Sequence, residues 1–342
     1  MPILSRRGLV SIVAGAAAMV TLPMVAQADT VTWRVQSHWP QASSSYGDSL
    51  EYLRDVLAER SDGRFQLELH PAGSLFGHDE IFNSVRRGII PMGTISPAYI
   101  IGEVTTAGIA NGLPNAFQET WEAAYFFKHL GFEDMIREEV AEQGVFYATD
   151  KVYPTEMVLS RKPESLEDFR SLSIRSSGTL QSFLTNSGAA ATMVAGPELY
   201  QALSSGVVDG AHWGAVQGAL SMSLYEVAKY HVRPPLNIGG IDAFVINQEA
   251  IDELPDDLQQ ILYSALEEQF WRRTNEYIYQ EQVALARAQA EQDVEVIELP
   301  EDVRQAMLEA ARISWQAERD KGGKAAEAMD MLEEFLGDLG HL

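Results

Sequence analysis

His212 and Trp213 lie side by side in the stretch V-V-D-G-A-H-W-G-A, Val207 to Ala215. A histidine can act as a general base, ligate a metal or hydrogen-bond an anion. A neighbouring tryptophan can line a pocket or simply pack in a core. The seven histidines of the chain are scattered, with no pair at metal-ligand spacing on one helix. The nucleophile, phosphate-loop and zinc motifs G-x-S-x-G, G-x-G-x-x-G, G-x-x-x-x-G-K and H-E-x-x-H are also absent.

Arg175 is the second residue with obvious binding chemistry. It ends an apolar stretch, Leu172 to Arg175, and precedes Ser176-Ser177-Gly178 and a predicted helix. In open α/β sheets, ligands bind beyond the carboxyl ends of the strands, and a guanidinium group matches a carboxylate with two parallel hydrogen bonds. The pattern alone leaves two interpretations open, a carboxylate-binding residue and an internal salt bridge.

The elements that position these residues alternate between strands and helices. Alternating β-formers predict strands at Val31–Gln36 and 65–69, with a helix over 45–60 between them. The same order recurs between 172 and 213, which predicts βαβ units and a mainly parallel sheet. A breaker-poor stretch from Pro255 to Glu291 predicts one helix of around 50 Å, followed by a final helix that begins near Pro300.

Composition restricts both location and chemistry. Residues 1–28 have the pattern of an export signal, with Arg6-Arg7, an apolar stretch and Ala26-Gln27-Ala28 before the predicted cleavage after Ala28. The two arginines also permit the twin-arginine route. The chain has no cysteine, which excludes disulfides, thiol catalysis and zinc-thiolate sites. A net charge of −24 argues against nucleic acid and anionic membrane as partners.

Four blocks in fixed order resemble the solute-binding proteins of tripartite ATP-independent periplasmic (TRAP) transporters. They are S-D-G-R-F-Q-L-E-L-H-P-A-G-S-L-F-G (61–77), G-I-I-P-M-G-T-I-S (88–96), S-L-E-D-F-R-S-L-S-I-R (165–175) and G-P-E-L-Y-Q-A-L-S-S-G-V-V-D-G-A (196–211). The resemblance implies an α/β, two-lobed periplasmic-binding-protein-like (class II) fold. A ligand cleft lies between the lobes, and long C-terminal helices span both. It also implies a periplasmic protein that captures a small organic acid, delivers it to the membrane permease subunits and catalyses no reaction.

On this plan the chain divides into four parts. Residues 1–28 are the signal peptide, and 29–150 form lobe 1, to which 240–299 return. Residues 151–239 form lobe 2, and 300–342 form a C-terminal helical segment that packs across the lobes. After signal cleavage we expect no direct membrane insertion, because no later segment is long and apolar enough.

The resemblance assigns roles to the residues singled out above. In the family, an arginine at the position of Arg175 clamps the ligand carboxylate. Some members that bind 2-oxo or 2-hydroxy acids carry Glu-Trp where this chain has His212-Trp213, and that glutamate helps to hold a metal ion. Sodium and calcium prefer oxygen ligands, so we expect no obligatory metal and no cofactor. His212 then either hydrogen-bonds the ligand directly or is a satisfied core histidine, and Trp213 is expected to wall the pocket.

The remaining candidates follow predicted strands or lie near the predicted crossings between lobes. For each of them a turn, a cap or hinge packing is an equally good interpretation. They are Trp39, Ser96, Tyr99, Glu156, Asn237 and Asp242. Two rival functions also stay open at this stage. One is an extracytoplasmic enzyme with His212 as general base and Glu156 as its candidate partner, and the other is a ligand-sensing module for a receptor kinase.

Overall fold

The computed structural model describes residues 30–342, so the predicted export signal lies outside the described residues. The described part combines a single mixed sheet with helices on its faces. Within it, none of the helices has the length and apolar character needed to span a bilayer. The sheet and its helices position every side chain discussed below.

Nine strands make up the sheet in the described part of the chain. They are β1 (Val31–Gln36), β2 (Phe65–His70), β3 (Met92–Ile95), β4 (Val145–Leu159), β5 (Ser173–Arg175), β6 (Ala190–Thr192), β7 (Gly210–His212), β8 (Tyr230–Asn247) and β9 (Glu295–Ile297).

The helices lie between and after these strands. They are α1 (Tyr52–Arg60), α2 (Ile81–Arg86), α3 (Ala107–Ala110), α4 (Thr120–Lys128), α5 (Phe132–Ala141), α6 (Leu166–Arg170), α7 (Gly178–Asn186), α8 (Leu199–Ser204), α9 (Val216–Ser221), α10 (Gln248–Asp252), α11 (Asp256–Gln292), α12 (Glu301–Arg319) and α13 (Gly323–Asp338). A π-helical turn at Tyr46–Glu51 leads directly into α1.

The strand order is β2-β1-β3-β8-β4-β7-β5-β6, with β9 added on β8. The pairs β1–β2, β1–β3, β5–β6, β5–β7 and β8–β9 are parallel. The pairs β3–β8, β4–β8 and β4–β7 are antiparallel. The predicted βαβ units are therefore present at both ends of the sheet, but the prediction of a mainly parallel sheet is wrong at its centre.

Two long antiparallel strands, β4 and β8, form that centre. They connect one half of the sheet, with β1, β2 and β3, to the other half, with β5, β6, β7 and β9. One half of β8 pairs with β3 at residues 243–246, and the other half pairs with β9 at residues 230–232. The far end of β4 pairs with β7 through residues 157–159. Between these ends the β4–β8 register is interrupted three times, between Thr149 and Met157. Such bulges bend a strand and redirect its side chains.

Helix α11 connects the cores of the two halves. Its first turns, up to Leu266, pack with β1 and α1, whereas Ala284 and Ala288 pack with α8, α9 and β7. With 37 residues it is about 55 Å long at ~1.5 Å per residue. Helix α12 then packs on the core of β5 and α7, and α13 packs on the core of α4 and α5. Thus long C-terminal helices span both halves, as predicted. The lobe boundaries at 150/151 and 239/240 fall inside β4 and β8 and remain a prediction.

Candidate ligand-binding site

A small cavity between the two halves of the sheet brings seven of the nine predicted site residues together: Trp39, Ser96, Tyr99, Arg175, His212, Trp213 and Asp242. Its volume is about 60 Å³. Since a water molecule needs roughly 10 to 15 Å³ on the same measure, the cavity has room for a small ligand.

Arg175 places a cation in this cavity that no acid among residues 30–342 neutralises. The side chain is 2% exposed, and none of the described residues supplies a carboxylate within ion-pair distance of it. Its Nε donates to the Val194 carbonyl at 3.0 Å and its Nη1 to the His212 carbonyl at 2.9 Å. These two bonds fix the plane of the guanidinium group. Burial lowers the pKa of Arg175, while the nearby Tyr99 hydroxyl favours the charged form.

This geometry does not favour the salt-bridge interpretation that the sequence left open for Arg175. A satisfied internal salt bridge would place an aspartate or glutamate against the guanidinium group, and the described structure has none there. Counting the weak contact of Nη2 to the Met193 sulfur at 3.9 Å, the protein acceptors use three of the five N–H groups. A buried cation with free donors is a site for an anion.

His212 is held neutral beside that cation. His212 is the last residue of β7, and its Nδ1 lies 2.7 Å from the Ser176 hydroxyl. Burial and the neighbouring Arg175 charge lower the pKa of His212 to about 3. At physiological pH its imidazole therefore carries no charge. It contributes one ring nitrogen to the cavity and, through its backbone carbonyl, orients Arg175.

Trp213 forms a wall that only glycines can accommodate. The guanidinium carbon of Arg175 lies 5.0 Å from the centre of the Trp213 ring, a cation–π arrangement. A Cβ on Gly196 would come within 2.5 Å of that ring, and a Cβ on Gly218 within 2.7 Å of the Trp213 carbonyl. The absence of a side chain at Gly196 thus leaves room for the Trp213 ring, and that at Gly218 leaves room for the Trp213 backbone.

A second buried cation, Lys151, lies in the same cavity at the bulged part of β4. Its Nζ is 2.6 Å from Asp242 Oδ2 and 3.0 Å from Asp150 Oδ2. The Nζ also lies 4.8 Å from the centre of the Trp39 ring and 4.9 Å from that of Tyr153. Two carboxylates and two aromatic faces therefore stabilise the buried ammonium group.

Asp242 completes this cluster. Its Oδ1 accepts from the Tyr153 hydroxyl at 3.3 Å and lies 3.2 Å from His38 Nε2. Burial acts to raise the pKa of Asp242, but the Lys151 charge and His38 outweigh it and hold that pKa well below its usual range. Asp242 is therefore ionised at every physiological pH, and its oxygens are already occupied by protein donors.

The first half of the chain supplies the opposite wall. Trp39 follows β1, and Ser96 follows β3, where it caps the turn Pro97–Tyr99 by accepting from the Ala98 amide. The Tyr99 ring lies 6.0 Å from that of His38, centre to centre. Burial raises the pKa of Tyr99, so its hydroxyl keeps its proton. As predicted, these residues follow the carboxyl ends of their strands.

Two predicted site residues lie elsewhere. Glu156 is 3% exposed but pairs with His231 at 2.6 Å and with Arg233 at 3.0 Å, and it does not line the cavity. Asn237 is also buried, and its amide donates to the Gly112 carbonyl at 3.2 Å. Both residues lie in the paired, irregular part of β4 and β8, and their side chains are bound by other residues of the protein. For these two residues the hinge-packing alternative is the better interpretation.

Sequence reasoning missed nine of the cavity residues, among them the titratable or aromatic side chains His38, Lys151, Tyr153 and Tyr277. Lys151 and Tyr153 come from a part of β4 whose pairing is irregular, and Tyr277 lies in the middle of α11. One signal for Lys151 was present in the sequence. This lysine directly follows Asp150, at the predicted boundary between the two lobes. Without the β4–β8 pairing nothing showed that this lysine is buried.

A close contact between the two halves lies beside the cavity. The Thr179 amide donates to Asn111 Oδ1 at 3.0 Å, and the Thr179 hydroxyl to the Gly108 carbonyl at 2.9 Å. Gly178 has φ +58°, and a Cβ there would be 2.4 Å from Asn111 Oδ1. Only glycine permits this approach. These contacts join α7 to α3 and to Asn111, the residue that follows α3, beside the cavity.

Helix α11 holds the segment after Trp213 through a buried acid. Glu281 accepts from the amides of Val216 and Gln217, both at 2.8 Å, at the start of α9. Burial raises the pKa of Glu281 to about 7, against the effect of the two amides. The folded protein therefore binds a proton at this residue that the unfolded chain releases near pH 4.5.

The stability of the protein should consequently fall as pH rises from about 4.5 to 7, where only the folded state keeps this proton. The contribution of Glu281 is about 3 kcal/mol over that window, from ~1.4 kcal/mol per pKa unit. Urea unfolding at a series of pH values measures it. In Glu281→Gln this part of the pH dependence should vanish, and in the half-buried control Glu276→Gln it should persist. An unchanged profile in Glu281→Gln would contradict the assignment.

The donor groups around the cavity do not fit a sodium or calcium ion. Where a carboxylate oxygen would be needed, His212 presents an imidazole, and its carbonyl already accepts from Arg175. The Asp242 oxygens are taken by Lys151, His38 and Tyr153. Among residues 30–342 there is also no cluster of three His, Asp or Glu side chains that could hold a metal.

Two halves that close on a small cavity, with a buried cation left free for a ligand, define a binding protein for a small anion. The comparison with known families agrees with this class. Residues 36–321 match the family described as bacterial extracellular solute-binding protein, family 7 (DctP). The chain belongs to this family, and the resemblance inferred from the four sequence blocks is confirmed.

Individual relatives are distant in sequence but cover most of the chain. A monocarboxylate 2-oxoacid-binding periplasmic protein of Nostoc sp. is 23% identical over 308 residues, which are 89% of this chain and 83% of the relative. A TRAP solute-binding protein of Bordetella bronchiseptica with calcium and picolinate has a TM-score of 0.83 at 21% identity, covering 91% of this chain and 93% of its own. A Pseudoalteromonas atlantica protein with sodium and pyruvate has a TM-score of 0.82 at 22% identity, covering 91% and 95%.

Proposed function

We propose that this protein captures a small organic carboxylate outside the cytoplasm and delivers it to the permease subunits of a TRAP transporter. The observation that carries the proposal is Arg175, a buried cation with free N–H groups and no protein acid beside it. A carboxylate there would form a charge-assisted, bidentate ion pair with the guanidinium group. The pyruvate, picolinate and 2-oxoacid ligands of relatives are all small carboxylates, which supports this ligand class.

Within the proposed site, the ligand residues are Arg175, His212, Trp213, Tyr99, Ser96, Trp39 and Asp242, with Lys151 and Tyr153 added by the cavity. The ligand carboxylate pairs with Arg175, and a second oxygen of the ligand faces the Lys151 end. Glu156 and Asn237 serve the scaffold instead. The small volume of the cavity, about 60 Å³, favours a compact acid.

An enzymatic role is disfavoured by the state of His212. Ser176 and His212 do form a hydroxyl–imidazole pair at 2.7 Å. However, a histidine whose pKa is lowered to about 3 is a weak base at neutral pH. Glu156, the partner considered from the sequence, pairs with His231 instead. We therefore propose binding without chemical transformation.

The direct test is a thermal-shift screen with pyruvate, lactate, picolinate, pyroglutamate and glucuronate, followed by calorimetry on the acids that raise Tm. Binding of at least one acid, with the acid recovered unchanged, supports a carboxylate receptor. Turnover of a bound acid would instead favour the enzyme. Binding of no acid by the wild type would contradict the proposal.

Ligand affinity should not depend on a metal ion. We expect the Kd of the best acid to change by less than about twofold when 5 mM EDTA replaces 1 mM calcium chloride, because the cavity already holds two cations, Arg175 and Lys151. Calorimetry in the two buffers measures this. A loss of tenfold or more in EDTA would show that an ion does take part.

The export route is also part of the proposal. The family is extracellular by its description, and residues 1–28 have the charge and cleavage pattern of a signal peptide with a possible twin-arginine start. Mass spectrometry of the secreted protein should find Asp29 as its first residue.

A further inference from the structure

The chain from the end of β7 to the start of α9 carries two parts of the ligand cavity. We call residues 212–217 the Trp213 segment. Its first residue, His212, accepts from Arg175 at 2.9 Å through the backbone carbonyl. The Trp213 ring lies 5.0 Å from the guanidinium carbon and lines the cavity. A movement of this segment would therefore shift both the wall of the cavity and the orientation of its cation.

The middle of the Trp213 segment is held by backbone contacts with other elements. The Glu156 amide donates to the Gly214 carbonyl at 2.7 Å. The Ala215 amide donates to the Tyr277 hydroxyl at 3.4 Å, which is a long hydrogen bond. These two contacts connect the segment to β4 and α11, and neither of them involves an ionised group.

Glu281 of α11 holds the far end of the segment with a charge. Its side chain is 3% exposed. One carboxylate oxygen accepts from the Val216 amide and the other from the Gln217 amide, both at 2.8 Å. Hydrogen bonds to an ionised acceptor are roughly twice as strong as neutral ones. Protonation would turn one of the two acceptors into a hydroxyl donor that faces an N–H group, so one of the two bonds would be lost.

We propose that Glu281 is a positioning residue for the ligand cavity, and that loss of its proton tightens the Trp213 segment and strengthens the binding of the acid. The proposal rests on the carboxylate-binding function proposed above. It makes capture of the ligand proton-linked, with the higher affinity at the higher pH.

The protonation state of Glu281 changes within the physiological range. Burial raises its pKa to about 7, and the charge of Glu156 acts in the same direction. The two amides and the Arg233 charge oppose this rise. Both forms of the segment, anchored by two bonds or by one, are therefore populated near neutral pH.

Other charged and titratable groups surround Glu281 on several elements. They are Glu156 of β4, His231 and Arg233 of β8, Tyr225 of the turn at 224–226, Tyr277 and Arg273 of α11, and Asp48 of the π-helical turn. Burial raises the pKa of both tyrosines, so they keep their protons at neutral pH. Glu156 is ion-paired with His231 and Arg233, and Arg273 with Asp48. A substitution at Glu281 alone separates its titration from that of these pairs.

Calorimetry between pH 6.0 and 8.5 tests the proposal, with the acid that binds best among pyruvate, lactate, picolinate, pyroglutamate and glucuronate. For the wild type we expect a Kd about three- to tenfold lower at pH 8.5 than at pH 6.0, which is the value of one hydrogen bond. Titrations at pH 7 in phosphate and in Tris should also show that binding releases a fraction of a proton.

Glu281→Gln is the decisive variant. Glutamine has nearly the same shape but is uncharged and has one acceptor oxygen, so it fixes the state of the protonated acid. Its Kd should stay near the wild-type value at pH 6.0 across the whole range, without proton release. The control Glu276→Gln, one and a half turns away on the same helix, should keep the wild-type profile; Glu276 pairs with Arg272 at the surface. Circular dichroism and Tm show whether both variants fold.

The outcomes separate this proposal from the function on which it rests. If the wild type binds none of the five acids, the proposed function and this inference both fail. If the wild type binds an acid with the same Kd at every pH, or more tightly at low pH, only the role of Glu281 is overturned. A pH dependence that persists in Glu281→Gln also overturns it and would assign the proton to another group, such as the pair of His231 and Glu156.

Discussion

Replacing Arg175 by methionine should weaken binding of the best carboxylate by at least about 100-fold. The substitution removes a charge-assisted pair and leaves the ligand anion unpaired in a closed cavity, which costs about 3 kcal/mol or more. At ~1.4 kcal/mol per tenfold change this corresponds to two decades in Kd. Calorimetry with the acid selected by the thermal-shift screen measures the loss.

The empty Arg175→Met protein should fold normally, because no acid of the described chain loses a partner. Arg175→Lys is the informative control. Lysine keeps the positive charge but lacks the planar guanidinium group that the Val194 and His212 carbonyls orient. Arg175→Lys should therefore bind the acid more tightly than Arg175→Met but more weakly than the wild type. Affinity within threefold of the wild type in Arg175→Met would refute the assignment of this residue.

Replacing Lys151 by methionine should destabilise the fold by about 3 to 5 kcal/mol at neutral pH. The variant leaves Asp150 and Asp242 buried without their shared cation, and breaking one partner out of a buried ion cluster has a cost of that size. Since domains of this kind are stable by only about 5 to 15 kcal/mol, urea unfolding will show the effect clearly.

The pH dependence of this variant has a defined sign. Lys151 is a main reason that the pKa of Asp242 is low in the folded protein, so its removal should raise that pKa. The deficit relative to the wild type should then shrink as pH falls and the carboxyl groups become protonated. The double variant Lys151→Met, Asp242→Asn should recover part of the lost stability. A single variant as stable as the wild type would show that the cluster is not the buried ion network described above.

The sequence predicted most of the local elements and the side chains that follow strands. Trp39, Ser96 and Arg175 were found because polar or aromatic residues at strand ends have a fixed place in α/β folds. The four sequence blocks then identified the family. The full length of the two long strands was not predicted, because Pro154 and the pair Pro234-Pro235 interrupt their patterns.

That gap explains which site residues were misjudged. In an irregular strand the alternation of faces is lost at each bulge. The sequence alone therefore does not reveal that Lys151 lines the cavity, whereas Glu156 pairs with His231 and Arg233. Such assignments depend on long-range strand register, which a single sequence does not reveal.

The unneutralised charge of Arg175 also bears on how a transporter avoids engaging receptors that carry no ligand. In the empty protein, closure must desolvate the guanidinium group with no anion to compensate it, whereas the loaded protein closes around a neutral pair. If this difference amounts to about 3 kcal/mol, the closed form makes up only about 1% of the empty receptor. A permease that recognises the closed shape would then be engaged almost only by receptors that carry cargo.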